Sequence, residues 1–132
     1  GNCTNLQRLY CNNNKLISLP ESLGNCTNLN TLYCEYNKLI SLPESLGNCT
    51  NLNNLWCNHN KLFSLPNSIG NCTYLQSLLC HNKLFSLPDS LDNCTNLKEL
   101  FCDNNYMILF NRIAALVQFK IEFTIQCTAY QS

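Results

Sequence analysis

Eleven cysteines and two histidines are the residues of this 132-residue chain that first suggest chemistry. Thiolates act as nucleophiles and as zinc ligands, and a structural zinc site needs four ligands converging tetrahedrally. The spacing argues against both uses. Ten of the cysteines form two periodic sets: Cys3, Cys26, Cys49, Cys72 and Cys94, and Cys11, Cys34, Cys57, Cys80 and Cys102. There is no C-x-x-C, and a column of side chains with parallel Cβ vectors presents ligands in a line. The same geometry opposes disulfides between successive members of a set, because the required dihedral is hard to meet. Free cysteine behaves as a small buried hydrophobe. Both sets therefore read as core ladders of reduced thiols, and the compartment as reducing, intracellular and cytoplasmic. Cys127 is the thiol expected to oxidise most readily. His59 and His81 lie on adjacent repeats without carboxylate support, so no metal or cofactor is expected.

Nothing in the sequence assembles a catalytic centre. It has no Gly-rich phosphate loop, no H-E-x-x-H and no convergent carboxylate pair. Glu21, Glu44 and Asp89 share one column, explained by negative charge at the start of short helices. Eight basic residues balance eight acidic ones, which removes the electrostatic case for nucleic acid or an anionic membrane. No run of eighteen apolar residues suggests a membrane-spanning helix. The chain is read as a non-enzyme.

The elements that position these residues follow from a repeat, L-x-x-L-x-C-x-x-N-x-L. Its copies open at Leu6, Leu29, Leu52, Leu75 and Leu97, a period of 23 residues that shortens to 22 at the last step. A fixed period of this size means stacked units, each burying its apolar face on its neighbours. Within a copy, Leu29, Leu32 and Cys34 make a short strand, and successive strands stack as a parallel sheet. Asn14, Asn37, Asn60, Asn82 and Asn105 form an asparagine ladder that bonds backbone groups where the chain leaves the strand. Leu16, Leu39, Leu62 and Leu84 point inward, as do Leu19, Leu42, Leu65 and Leu87. Pro20, Pro43, Pro66 and Pro88 suit the first position of a one-turn helix, and Gly24, Gly47 and Gly70 would stop it. The fourth copy has Cys80-His81-Asn82 where the third has Cys57-Asn58-His59-Asn60, so one residue is missing from the loop that leaves the strand.

The pattern closely resembles the leucine-rich repeat family over about residues 1–110, with Cys in place of Leu. That exchange resembles the cysteine-ladder variant of internalin-type bacterial repeats. The resemblance implies an α/β repeat solenoid: a short arc with a parallel sheet on the concave face, an irregular, 3₁₀ or one-turn helical convex side, and a C-terminal β cap. It also implies a protein-interaction scaffold. Residues 1–110 are read as five repeats, the first beginning in mid-repeat, so the chain reads as a piece of a longer array. Residues 111–132 are read as a C-terminal cap with an amphipathic strand over 117–127, where apolar and polar residues alternate. Asn2, Asn25, Asn48, Asn71 and Asn93 each begin an N-x-[ST] motif, which recurs because the whole repeat recurs.

Alternation along each strand puts Tyr10, Tyr33, Trp56, Leu79 and Phe101 on the concave face. They are expected to form an apolar and aromatic stripe for a partner. Asn13, Tyr36, His59, His81 and Asn104 flank it on one side, and Arg8, Thr31, Asn54, Ser77 and Glu99 on the other. The site is expected at Tyr10, Tyr33, Trp56, Leu79, Phe101, Tyr36, His59 and His81, and the partner is expected to be a protein or peptide, with no nucleic acid or membrane. The alternative is a structural, self-assembling subunit. It would associate as a homodimer or end to end, through its open N-terminal repeat edge and its C-terminal strand.

Overall fold

The computed structural model describes residues 3–102 and the strand 124–127. Six short strands, β1 (Arg8–Tyr10), β2 (Thr31–Tyr33), β3 (Asn54–Trp56), β4 (Ser77–Leu79), β5 (Glu99–Cys102) and β6 (Thr124–Cys127), form one sheet in sequence order. All pairs are parallel, and the register follows the repeat: Leu9 pairs with Leu32, Leu32 with Leu55, Leu55 with Leu78 and Leu78 with Leu100. Tyr10, Tyr33, Trp56, Leu79 and Phe101 therefore stand in one column. β6 extends the sheet as a sixth parallel strand, with Ile125 opposite Leu100 and Cys127 opposite Cys102. The remainder of the strand expected over 117–127, and Asn105 of the ladder, lie outside the described residues.

Among the described residues, four one-turn 3₁₀ helices run opposite the sheet, η1 (Glu21–Asn25), η2 (Glu44–Asn48), η3 (Asn67–Asn71) and η4 (Asp89–Asn93). Two expectations are corrected here. The prolines sit one residue before each helix rather than at its first position. Pro20 is extended, with φ −72° and ψ 149°, and its carbonyl accepts the Leu23 N–H at 3.0 Å. The glycines do not stop the helices, because η1, η2 and η3 run through Gly24, Gly47 and Gly70, none of which has positive φ. They make room instead. A Cβ on Gly24 would lie 2.6 Å from the Ser45 Cβ, and one on Gly47 2.4 Å from the Ser68 Cβ. That approach lets each serine donate to the carbonyl of the preceding helix: Ser45 to Glu21, Ser68 to Glu44 and Ser90 to Asn67, each at 2.6 Å. The acidic residues at the helix starts thus border a serine ladder.

Between sheet and helices lies one leucine-rich core. Leu29, Leu32, Leu39, Leu46, Leu52, Leu55 and Leu62 are fully buried, and so are their counterparts Leu75, Leu78, Leu91, Leu97 and Leu100. Each contributes roughly 1.5–3 kcal/mol of hydrophobic stabilisation. Cys26, Cys34, Cys49, Cys57, Cys72, Cys80, Cys94 and Cys102 share this core. Cys3 and Cys11 correct the expectation of two complete ladders: Cys3 is exposed and Cys11 half-buried, because the first rung is covered on one side only. The convex thiols also act as donors. Cys94 Sγ donates to the carbonyls of Ile69 and Cys72 at 3.4 Å each, and Cys72 Sγ to that of Cys49 at 3.5 Å. A leucine there would leave those second lone pairs unused.

The asparagine ladder has the expected role. Asn60 Nδ2 donates to the carbonyls of Cys34 (3.1 Å) and Cys57 (3.0 Å), while its Oδ1 accepts the Leu39 N–H at 3.0 Å. Asn37 repeats this with Cys11, Cys34 and Leu16. Asn14, on the first rung, is exposed and bonds within its own turn, to Cys11 and Asn12.

Candidate functional site

The expected stripe is a pair of ring columns. Tyr10 stacks on Tyr33 with centroids 5.1 Å apart, and Tyr33 on Trp56 at 4.0 Å and 12°. A second column starts where the chain leaves each strand: Tyr36 stacks on His59 at 4.5 Å and 10°. Leu79 interrupts the first column. His81 lies beside the gap, meeting His59 edge-on at 6.3 Å and Phe101 edge-on at 6.2 Å. Seven of the eight expected site residues make these ring contacts, and Leu79 stands between Trp56 and Phe101 in the strand register. Asn104 of the flanking column lies outside the described residues.

Backbone conformation places the second column. Asn13, Tyr36 and His59 have φ of 57°, 57° and 55°, a left-handed turn that swings each side chain out of the strand direction. The one-residue deletion removes this position from the fourth copy. His81 consequently does not share the column of Asn13, Tyr36 and His59, as its sequence position before Asn82 suggested. Its carbonyl accepts the His59 N–H at 2.7 Å, the role of Asn58 toward Tyr36 and of Glu35 toward Asn13. Asn82 compensates: its Oδ1 accepts the Asn60 N–H at 2.8 Å, where in the first turn the Tyr36 carbonyl accepts from Asn14.

The flanking column beginning at Arg8 is a polar brace beneath the rings. Thr31 and Ser77 are buried. Trp56 Nε1 donates to Ser77 Oγ at 3.2 Å, and Ser77 Oγ donates to Glu99 Oε2 at 3.3 Å. This chain holds the indole in place against Tyr33. The Tyr33 phenol is pushed above the usual tyrosine value by burial, then by Tyr10 and Glu35, with Arg8 opposing.

Two features escaped the sequence reading. One is a second apolar stripe on the flank of the solenoid, made of Ile17, Ile40, Phe63 and Phe85, each more than half exposed. Phe63 and Phe85 stack at 5.8 Å. Its signal was the recurring [IF] after Asn-Lys-Leu. The other is Glu35 with Asn58. Both are buried, and among the described residues nothing donates to Glu35 Oε2 or Asn58 Oδ1. Its signal was one carboxylate in a column otherwise occupied by Asn12 and Asn58.

The family model described as Leucine Rich repeats (2 copies) matches residues 4–48. A leucine-rich-repeat protein of Leptospira interrogans is 31% identical, with a TM-score of 0.76, over 95% of this chain and 39% of its own. The functional domain of InlJ from Listeria monocytogenes, which includes a cysteine ladder, is 31% identical with a TM-score of 0.66, over 76% of this chain and 21% of its own.

The chain is a leucine-rich-repeat protein.

Internalin C2 of Listeria monocytogenes, 18% identical with a TM-score of 0.75 over 95% of this chain and 53% of its own, shares the fold. This leucine-rich-repeat chain spans between about a fifth and about half the length of these structures. No curated protein matches it. The buried thiol columns resemble a cysteine ladder, a feature that the InlJ domain includes.

Proposed function

We propose that this leucine-rich-repeat chain is a non-enzymatic scaffold that binds a protein or peptide on its concave sheet face. The observation that carries the reading is the paired ring columns, held by the Trp56–Ser77–Glu99 brace. Rigid aromatics bury large area at low entropic cost, which is the character of binding hot spots. Burial of the cysteine columns in the apolar core supports a reducing compartment as the place where the scaffold works. The test is the change Tyr33→Ala with Trp56→Ala. It should weaken a selected partner at least about tenfold while the fold persists. Unchanged affinity would remove the rings from the binding surface.

A second reading, assembly through the ends, is supported by the first rung. Leu6, Leu9, Leu16 and Leu19 are only partly buried, and they pack against the core from one side. A further rung laid on β1 would cover them. Light scattering across a concentration range separates the two: a constant monomer favours the sheet face, and a growing mass favours the ends.

A further inference from the structure

A net charge of zero conceals an ordered charge pattern. Lys15, Lys38, Lys61 and Lys83, four of the eight basic residues, recur once per rung, and all four are exposed. Two residues after each comes the flank stripe, Ile17, Ile40, Phe63 and Phe85, each more than half exposed. Six residues after each lysine, where the helices start, stand Glu21, Glu44, Asn67 and Asp89, also exposed. Between stripe and helix, Leu42 and Leu65 are buried while Ser41 and Ser64 stay exposed. The flank is thus a strip with a basic edge toward the sheet, an apolar middle and an acidic edge toward the helices.

The rungs set the pitch of this strip. The Lys38 N–H donates to the Leu16 carbonyl and the Lys61 N–H to that of Leu39, each at 2.8 Å, so rung-to-rung bonding continues down the flank. Phe63 and Phe85 keep the same order as a stacked pair. Each row therefore repeats at about 4.8 Å, the strand spacing. An exposed apolar row rimmed by charge is the mark of an interaction surface. Its complement must carry opposite charges at the same pitch on either side of an apolar row. A helix advances about 5.4 Å per turn and an extended segment about 6.6 Å per two residues, so neither keeps step with four rungs. A second copy of this chain does, and it supplies both charged rows.

Two-fold symmetry fixes how the copies meet. An axis across the strip would set lysines against lysines, with the copies antiparallel. An axis along the solenoid sets the lysine row of each copy against the acidic row of the other, with the copies parallel and each rung beside its own counterpart, and the contact closes. We propose that this flank is the interface of a parallel, two-fold dimer of the chain, in which Lys15 and Lys38 face Glu21 and Glu44 of the partner subunit and the apolar stripes meet around the axis. The contact is separate from the open first rung. It leaves the ring columns uncovered, and the two sheet faces look in opposite directions. Four rungs set the outermost contacts only about 15 Å apart, so the interface is small and the dimer weak, with a Kd of about 10–100 μM.

The test is sedimentation and light scattering of the reduced, full chain from about 1 μM to about 1 mM. The parent should pass from monomer to dimer and stop there, and high salt should weaken the dimer. An acidic variant, Lys15→Glu with Lys38→Glu, and a basic variant, Glu21→Lys with Glu44→Lys, should each dimerise at least about tenfold more weakly. Mixed in equal amounts they should form a dimer at least as tight as the parent's, because every edge then faces its opposite. Recovery on mixing also shows that both variants are folded. Should the basic variant melt below the parent, Lys15→Gln with Lys38→Gln keeps the test decisive, since it leaves the helix starts intact and should weaken the dimer several-fold. A parent monomeric to about 1 mM would overturn the flank dimer. So would a mass that grows past the dimer and ignores Phe63→Ser with Phe85→Ser, lysine variants as tight as the parent, or stable charge variants that do not recover on mixing.

Discussion

Asn60 shows how much one polar side chain can hold. It satisfies the Cys34 and Cys57 carbonyls and the Leu39 N–H, three backbone groups on two rungs. Asn60→Ala should therefore cost about 2–4 kcal/mol, measured as a shift in the urea midpoint with unchanged slope. The cysteines set a different sensitivity. Burial pushes the Cys49 and Cys94 thiols up to about 11, and burial followed by Cys94 and Cys49 pushes Cys72 up to about 12. An unfolded thiol titrates near about 8.5. Above that pH the unfolded chain releases protons that the native state keeps, so the slope of stability against pH is negative. The thiol contribution should be intact below about pH 8.5 and be lost progressively toward about pH 12. Urea midpoints across that window test it, and Cys72→Ala should flatten the decline.

At the scale of the element, the 3₁₀ helices are fixed by a steric fit rather than by helix propensity. Alanine normally stabilises a helix relative to glycine. At Gly47 the new Cβ would sit 2.4 Å from the Ser68 Cβ and 2.8 Å from the Ser68 carbonyl oxygen. The clash outweighs the propensity gain, and Gly47→Ala should lower stability by about 1–3 kcal/mol in thermal melts. An unchanged or raised melting temperature would mean that the rungs can part without cost. The strands are only three or four residues long, so their pairing alone could not specify register. The ring stacks and the asparagine ladder do so, and the fourth turn shows the tolerance: with its left-handed residue missing, the Asn82 side chain supplies the acceptor that the backbone no longer offers.

Over the whole molecule, stability is a sum of rungs and the interfaces between neighbours. Surface away from those interfaces should matter little to folding and more to association. The flank stripe of Ile17, Ile40, Phe63 and Phe85 is the clearest case, with Phe85 71% exposed. Phe63→Ser with Phe85→Ser should leave the unfolding free energy from urea titration within about 0.5 kcal/mol of the parent. The same change should reduce any concentration-dependent increase in mass seen by light scattering. If the mass rises as before, the flank takes no part in association and the open first rung is the surface to alter next.

The repeat made the architecture legible before any coordinates. Leu, Cys and Asn recur at 23 residues because every interior rung meets the same neighbours, so the core columns, the asparagine ladder and the ring column could be read directly from the sequence. What the tertiary structure decided were the positions whose environment belongs to another rung. Gly24 is explained by Ser45, and Trp56 is braced by Ser77 and Glu99. Cys3 and Cys11 lose burial because no rung in the structure covers their outer side. His81 leaves its apparent column because the deletion removes a left-handed backbone position, which residue type does not reveal. Glu35 looks like an ordinary polar residue in sequence. Its burial comes from packing across rungs 23 residues apart, and periodicity records which residues recur without recording what they touch.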